Sequence, residues 1–229
     1  MDKIINIKNL NKIYGTTIKT QVLFDINLSF DSGSFNSIIG ASGSGKSSLL
    51  NILGTLDKPT SGELYINGKL TTNMNKNELA ELRNETIGFI FQFHHLIPEF
   101  TALENVLIPH MIKNKGRIPK DIKEKAEDLM NLVGLSKVKN NLATNMSGGQ
   151  QQRAAIARSL INNPSIVLAD EPTGNLDSES TETVYKMLRD INEKFKTTFI
   201  IVTHDKKIAE MTDRIIEIKD GKINLDILR

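Results

Sequence analysis

Eight residues carry the clearest chemistry in the chain: Gly40, Ala41, Ser42, Gly43, Ser44, Gly45, Lys46 and Ser47, followed by Ser48. They read G-x-x-x-x-G-K-S. Glycines at this spacing let successive backbone N–H groups turn inward and cup phosphate oxygens. Lys46 adds a flexible point charge for the β- and γ-phosphates of a nucleoside triphosphate, and the Ser47 hydroxyl is placed for Mg²⁺. A second chemical pair stands at Asp170-Glu171, at the end of the apolar run Ser165 to Ala169. Two adjacent carboxylates at the end of a buried strand need a cation or a hydrogen-bond partner. Beside a phosphate loop, the first suits Mg²⁺ and the second general-base work; the plainer alternative is a strand that emerges into solvent. His204 follows the β-branched run Thr197 to Thr203. That places it at a strand's C-terminal end, the edge where open α/β sheets bind ligands. Ser147-Gly148-Gly149-Gln150 precede an alanine-rich helix, read over Arg153 to Ile161. They form either a second anion-binding nest or a plain helix cap.

Several elements must position these groups. An apolar run with Phe35, Ile38 and Ile39 precedes the phosphate loop. Leu49, Leu50, Ile52 and Leu53 follow it at helical spacing, giving strand, loop, helix and phosphates at a helix N-terminus. Ile4 to Leu10 and Phe24 to Phe30 alternate with period two, as half-buried antiparallel strands do, and Leu64 to Ile66 with Asn67-Gly68 read as a strand and hairpin turn. Asn77 to Arg83 is helix material, and Ile87 to Phe91 is a strand ending in the amide of Gln92. Phe93 to Pro98 read as loop. Pro119 opens an amphipathic helix (Ile122, Ala126, Leu129, Met130, Val133) closed by Gly134. Val184 to Phe195 form another. Arg214 to Lys219 with Asp220-Gly221 give a last strand and hairpin turn. The expected fold is a phosphate-loop α/β domain over 1–229: a parallel or mixed central sheet, an N-terminal antiparallel β subdomain, and a helical subdomain. The core spans about 1–92 and 162–229, with the helical insert at about 93–161. Lys113, Lys115, Arg117 and Lys120 read as a solvated loop cluster. Tyr14 is either an ordinary strand tyrosine or an aromatic face for adenine.

Bulk properties narrow the function. With 29 basic and 27 acidic residues among 229, the net charge of +2 gives no reason to expect nucleic-acid binding. The absence of cysteine excludes thiolate metal sites and thiol nucleophiles. No run approaches the ~20 apolar residues of a membrane span, and Met1 to Ile4 do not begin a signal peptide.

The order of pieces (phosphate loop, Gln92, Ser147-Gly148-Gly149-Gln150, Asp170-Glu171, His204) resembles the ATP-binding-cassette ATPases from about Ile4 to Gly221. Gly54 to Gly62 and Ala169 to Asp177 are similar to the branch that serves lipoprotein release and macrolide export. Gly88 to Val106, with His94-His95 and Phe100 to Leu103, is most similar to its lipoprotein-releasing members. Met146 and Ser48 depart from the usual pattern but keep polarity or size near their sites, and Ser34 departs outside the chemistry. The resemblance implies ATP and Mg²⁺ as ligands. Lys46 and the backbone of Ser42 to Ser47 would hold the phosphates; Ser47, Gln92 and Asp170 would bind the metal. Glu171 would polarise the attacking water and His204 contact the γ-phosphate. Tyr14 would stack on adenine, and Ser147 and Gly149 would cap the nucleotide of a second subunit. It also implies a homodimer on the cytoplasmic face of an inner membrane. There it would work with integral membrane subunits whose cargo is a lipoprotein. Macrolide-export-type ATPases, cell-division ATPases and soluble cassette ATPases are the competing readings.

Overall fold

The structure, a computed structural model, describes residues 2–229, apart from the side chains of Ser178, Lys206 and Lys207. Period-two alternation decides the N-terminal part. β1 (Lys3–Tyr14) pairs antiparallel with β2 (Thr20–Asp31) and with β4 (Ser61–Ile66), and β5 (Lys69–Leu70) completes a sheet of order β2-β1-β4-β5.

The second sheet has six strands in the order β10-β9-β3-β8-β7-β6. Here β3 is Phe35–Ile39, β6 Ile87–Ile90, β7 Ile166–Asp170, β8 Thr198–Val202, β9 Arg214–Lys219 and β10 Lys222–Leu228. β6, β7, β8, β3 and β9 run parallel to one another, and β10 returns antiparallel as a hairpin. Parallel strands are covered on both faces, so β7 and β8 are near-continuous apolar runs. Alternate residues then serve two cores. Val167, Ala169, Phe199 and Ile201 face a cluster that includes Val106, Met130, Ile156 and Leu188. Ile166, Leu168, Ile200 and Val202 face a cluster that includes Leu49, Ile52 and the N-terminal sheet.

The helices are α1 (Lys46–Leu53), α2 (Lys76–Thr86), α3 (Ala102–Lys113), α4 (Lys120–Leu132), α5 (Gly148–Leu160), α6 (Ser178–Phe195) and the short α7 (Lys206–Ala209). Three corrections to the sequence reading have local causes. α5 starts at Gly148, five residues before the periodic stretch, because Ser147 and Gln150 form a reciprocal capping box. Pro119 sits at the N-cap, one residue outside α4. Lys113 and Lys120 are helix-terminal rather than loop residues; Lys113 pairs with Glu85 at 2.6 Å and Lys120 with Glu124 at 3.4 Å. Within the helical region, α3 carries Pro109 inside its span, and a Thr101–Glu104 capping box marks its start. Among the described residues no helix is long and apolar enough to cross a membrane.

Candidate functional site

The phosphate loop joins β3 to α1. Gly45 stands at the N-cap with φ 106°, and a Cβ there would lie 2.8 Å from Leu23 Cδ2 and 2.9 Å from the Val22 carbonyl. Gly40 is likewise closed to any side chain, since a Cβ would meet the Ile218 carbonyl at 2.2 Å. The loop is therefore pressed between β2 and the β9–β10 hairpin, and only glycine permits that approach. Lys46 is buried, and its ammonium donates to the carbonyls of Gly40 and Ala41, both at 2.8 Å. The loop thus closes on its own lysine, and the charge sits inside the ring of N–H groups where an anion would enter. The Ser44 hydroxyl is buried without a hydrogen-bond partner among the described groups.

A cavity of about 470 Å³ opens in front of this loop. It is lined by Ser42, Gly43, Gly45, Lys46, Ser47 and Ser48 together with Val22, Gln92, Asp170, Glu171, Val202 and His204. The tertiary fold therefore brings together the phosphate loop, both carboxylates, the glutamine and the histidine expected from the sequence. Val22 is an addition that no sequence signal marked.

Parallel register explains the convergence. β7 and β8 flank one another with Asp170 opposite Val202, so Glu171 and His204 leave the same sheet edge. Burial pushes the Asp170 carboxyl above its ordinary value and the Glu171 charge adds to this, against a hydrogen bond with Ser47 and the charge of Lys46. Ser47 and Asp170 are thus already in contact, and a buried carboxylate that resists ionisation is relieved by a cation. Among the described residues no three acidic, histidine or cysteine groups cluster as a self-sufficient metal cage.

Glu171 holds φ 45°, a left-handed conformation that a non-glycine residue adopts at a cost. The turn is fixed by the Glu171 N–H donating to Val202 O (2.9 Å) and the Gly174 N–H donating to Glu171 O (3.0 Å). The Glu171 Oε1 lies 2.8 Å from Nδ1 of the exposed His204. The same loop engages Gln92: Asn175 donates to the Gln92 carbonyl at 3.0 Å, and the Gln92 amide packs against Gly174. The turn that follows Asp170 therefore contacts both Gln92 and His204. Glu171, Lys46 and the α1 N-terminus thus line one cavity, the combination of groups that phosphoryl transfer needs.

Two expected groups lie elsewhere. Tyr14 does not line the cavity; it pairs with Thr20 at the end of the β1–β2 ladder, two residues before Val22, which does. Ser147, Gly148, Gly149 and Gln150 are also outside it. They form the free N-terminus of α5, with Ser147 and Gly148 exposed. His94 and His95 lie behind Gln92, where Arg158 donates to their carbonyls at 2.7 and 2.6 Å. His95 also packs edge-on against Phe91 and lines a larger groove, about 730 Å³, between α2, β6, α3 and α5.

The chain matches the family model described as ABC transporter over residues 23–174. The chain belongs to the ABC transporter family. It is 49% identical over 225 residues, 97% of this chain and 99% of the relative, to the lipoprotein-releasing system ATP-binding protein LolD 1 of Rhodopseudomonas palustris. It is 45% identical to the LolD protein of Idiomarina loihiensis, covering 96% of both chains. Among solved structures it superposes with TM-score 0.89 and 42% identity, over 98% of each chain, on the ATP-binding cassette MJ0796, a dimer bound to ADP and Pi in a post-hydrolysis state. CbiO1 of Clostridium perfringens, part of an ABC transporter complex, is similar at TM-score 0.88 and 27% identity, over 99% of this chain and 88% of that one. This ABC transporter chain is an ATP-binding subunit that hydrolyses ATP in coupling to transport, and its cassette fold is the one read from its sequence.

Proposed function

We propose that two copies of this chain bind two ATP at their shared interface and power the release of lipoproteins from an inner membrane toward the outer membrane. Integral membrane partners resembling LolC and LolE would handle the cargo, with the ATPase lying peripherally on the cytoplasmic face. The observation that carries the reading is the near full-length identity of 45–49% to proteins named for lipoprotein release. It is joined to a cavity in which every expected catalytic group has an occupant.

Each group then has a role. Lys46 and the N–H groups of Ser42 to Ser47 bind the β- and γ-phosphates. Ser47, Gln92 and Asp170 fit a Mg²⁺ ion, which when bound neutralises phosphate charge. Glu171 accepts a proton from the attacking water, and His204, in contact with Glu171, orients that water and the γ-phosphate. Tyr14 supports the adenine. Ser147, Gly148, Gly149 and Gln150, remote from their own cavity, close over the nucleotide of the second copy, so two-fold symmetry completes both sites. ATP binds the closed dimer better than ADP does, so hydrolysis shifts the population toward the open form. The helical subdomain, 93–161, passes that motion to the membrane partner.

Glu171→Gln tests this. The variant should bind ATP, hydrolyse it at least about 100-fold more slowly, run as a dimer with ATP and as a monomer with ADP, and co-purify with the membrane partners. Turnover at the parental rate would remove Glu171 from its role. Co-purification with a macrolide-export or cell-division partner instead would overturn the cargo assignment.

A further inference from the structure

Tyr14 is held by a cluster that phosphate binding does not use. Its hydroxyl donates to Asp57 Oδ2 at 2.8 Å. The Lys12 ammonium lies 4.6 Å from the centroid of the Tyr14 ring and donates to Asp57 Oδ1 at 2.7 Å and to the Lys58 carbonyl at 2.8 Å. Lys12 is buried, 8% exposed, an unusual position for a lysine unless it is paired. Burial raises the Asp57 carboxyl, but the hydrogen bonds from Lys12, Tyr14 and the Lys58 N–H outweigh it, and the group is held below the ordinary carboxylate range. One cation and one carboxylate thus grip the ring at a face and at its tip.

The grip is anchored to the phosphate loop. Asp57 follows α1, the helix that begins at Lys46, and the N–H groups of Leu56 and Asp57 donate to the carbonyl of Asn51 within that helix at 2.9 and 3.2 Å. Thr60 then fastens the segment to β1: its hydroxyl accepts from the Ile13 N–H at 2.9 Å, and its N–H donates to the Asn11 carbonyl at 2.8 Å. Lys12 covers one face of the ring, and Tyr14 remains 38% exposed. A flat ligand therefore has one open face to use, at a height set by α1.

We propose that Asp57 and Lys12 are positioning residues for base recognition: they fix the Tyr14 ring, relative to the phosphate loop, in the orientation that stacks on the purine of a bound nucleotide. This rests on Tyr14 being the base platform. A ring already fixed before binding loses little freedom when the base arrives, so the clamp contributes to affinity for the base and nothing to the phosphates.

Calorimetry with ATP and with inorganic tripolyphosphate, each with Mg²⁺, separates the two. Base stacking of about 1–3 kcal/mol makes the expected loss for Tyr14→Ala about ten-fold in ATP affinity. Asp57→Asn and Lys12→Met should each lose about three-fold through the looser ring, and Asp57→Asn added to Tyr14→Ala should cost nothing more. Tripolyphosphate should bind all variants as it binds the parent. Tyr14→Phe, which removes only the hydroxyl that donates to Asp57, should match Asp57→Asn, and stands in for it if that variant folds poorly. Equal losses for ATP and tripolyphosphate would mean the cluster only supports the loop. Full ATP affinity in Asp57→Asn, Lys12→Met and Tyr14→Phe alongside a weakened Tyr14→Ala would overturn the clamp but keep the platform. Full affinity in Tyr14→Ala would overturn the platform and the clamp with it.

Discussion

Gly148→Ala separates what the single chain needs from what a pair of chains needs. Gly148 is the first residue of α5, its φ is not positive, and a Cβ built there meets no atom within 4 Å. Nothing inside the chain requires glycine at this position. Replacing it by alanine reduces the freedom of the unfolded chain and should stabilise the protein by about 0.4–1 kcal/mol. For a chain of this length that is a rise in Tm of about 1–4 °C. Because Ser147 to Gln150 lie outside the chain's own phosphate cavity, ATP affinity of the monomer should be unchanged. In the proposed dimer the methyl group would intrude on the partner's γ-phosphate. A displacement of about 1 Å from the N–H groups of α5 is enough to lower turnover on the order of 100-fold. Three measurements on one variant therefore diverge: differential scanning fluorimetry shows a higher Tm, nucleotide titration shows no change, and the Glu171→Gln/Gly148→Ala double variant stays monomeric with ATP on a sizing column. A lower Tm, or a double variant that dimerises normally with ATP, would refute the assignment of this glycine to the interface.

Asp170→Asn should raise the stability of the nucleotide-free protein while abolishing hydrolysis. Burial raises the Asp170 carboxyl above 3.8, so its ionisation opposes folding; that penalty is absent below pH 3.8, grows as pH rises through the folded value, and is complete above it. The urea midpoint of the variant should exceed the parent's at pH 7, with the gap closing as pH falls toward 3.8. Gly88→Ala places a Cβ 2.4 Å from the Ser159 carbonyl, so β6 must move about 1 Å from α5; about 1–3 kcal/mol of stability should be lost, read from the same urea curves. ATPase activity should fall with it, because Gln92 lies two residues after β6.

Much of this protein was legible along the chain because its chemistry sits at strand ends. The phosphate loop is one contiguous segment whose glycines are demanded by local φ and close approach. Alternation in β1 and β2 and the unbroken apolar runs of β7 and β8 told exposed-edge sheet from doubly covered sheet. The helix termini were less clear where capping outran periodicity, as at Ser147, or where Pro109 broke the pattern of α3.

The sequence by itself determined which groups are present and which strand each one terminates, since residue type and a two- or 3.6-residue period are local properties. Only the tertiary structure decided who meets whom. Asp170 opposite Val202, Glu171 against His204 at 2.8 Å, and Tyr14 on Asp57 at 2.8 Å all depend on strand register and on the path of the chain after α1. It also decided that Ser147 to Gln150 stand outside the phosphate cavity of their own chain. The physical reason is that register and packing are settled by burying two cores at once, a condition on the whole chain that no short window of residues contains.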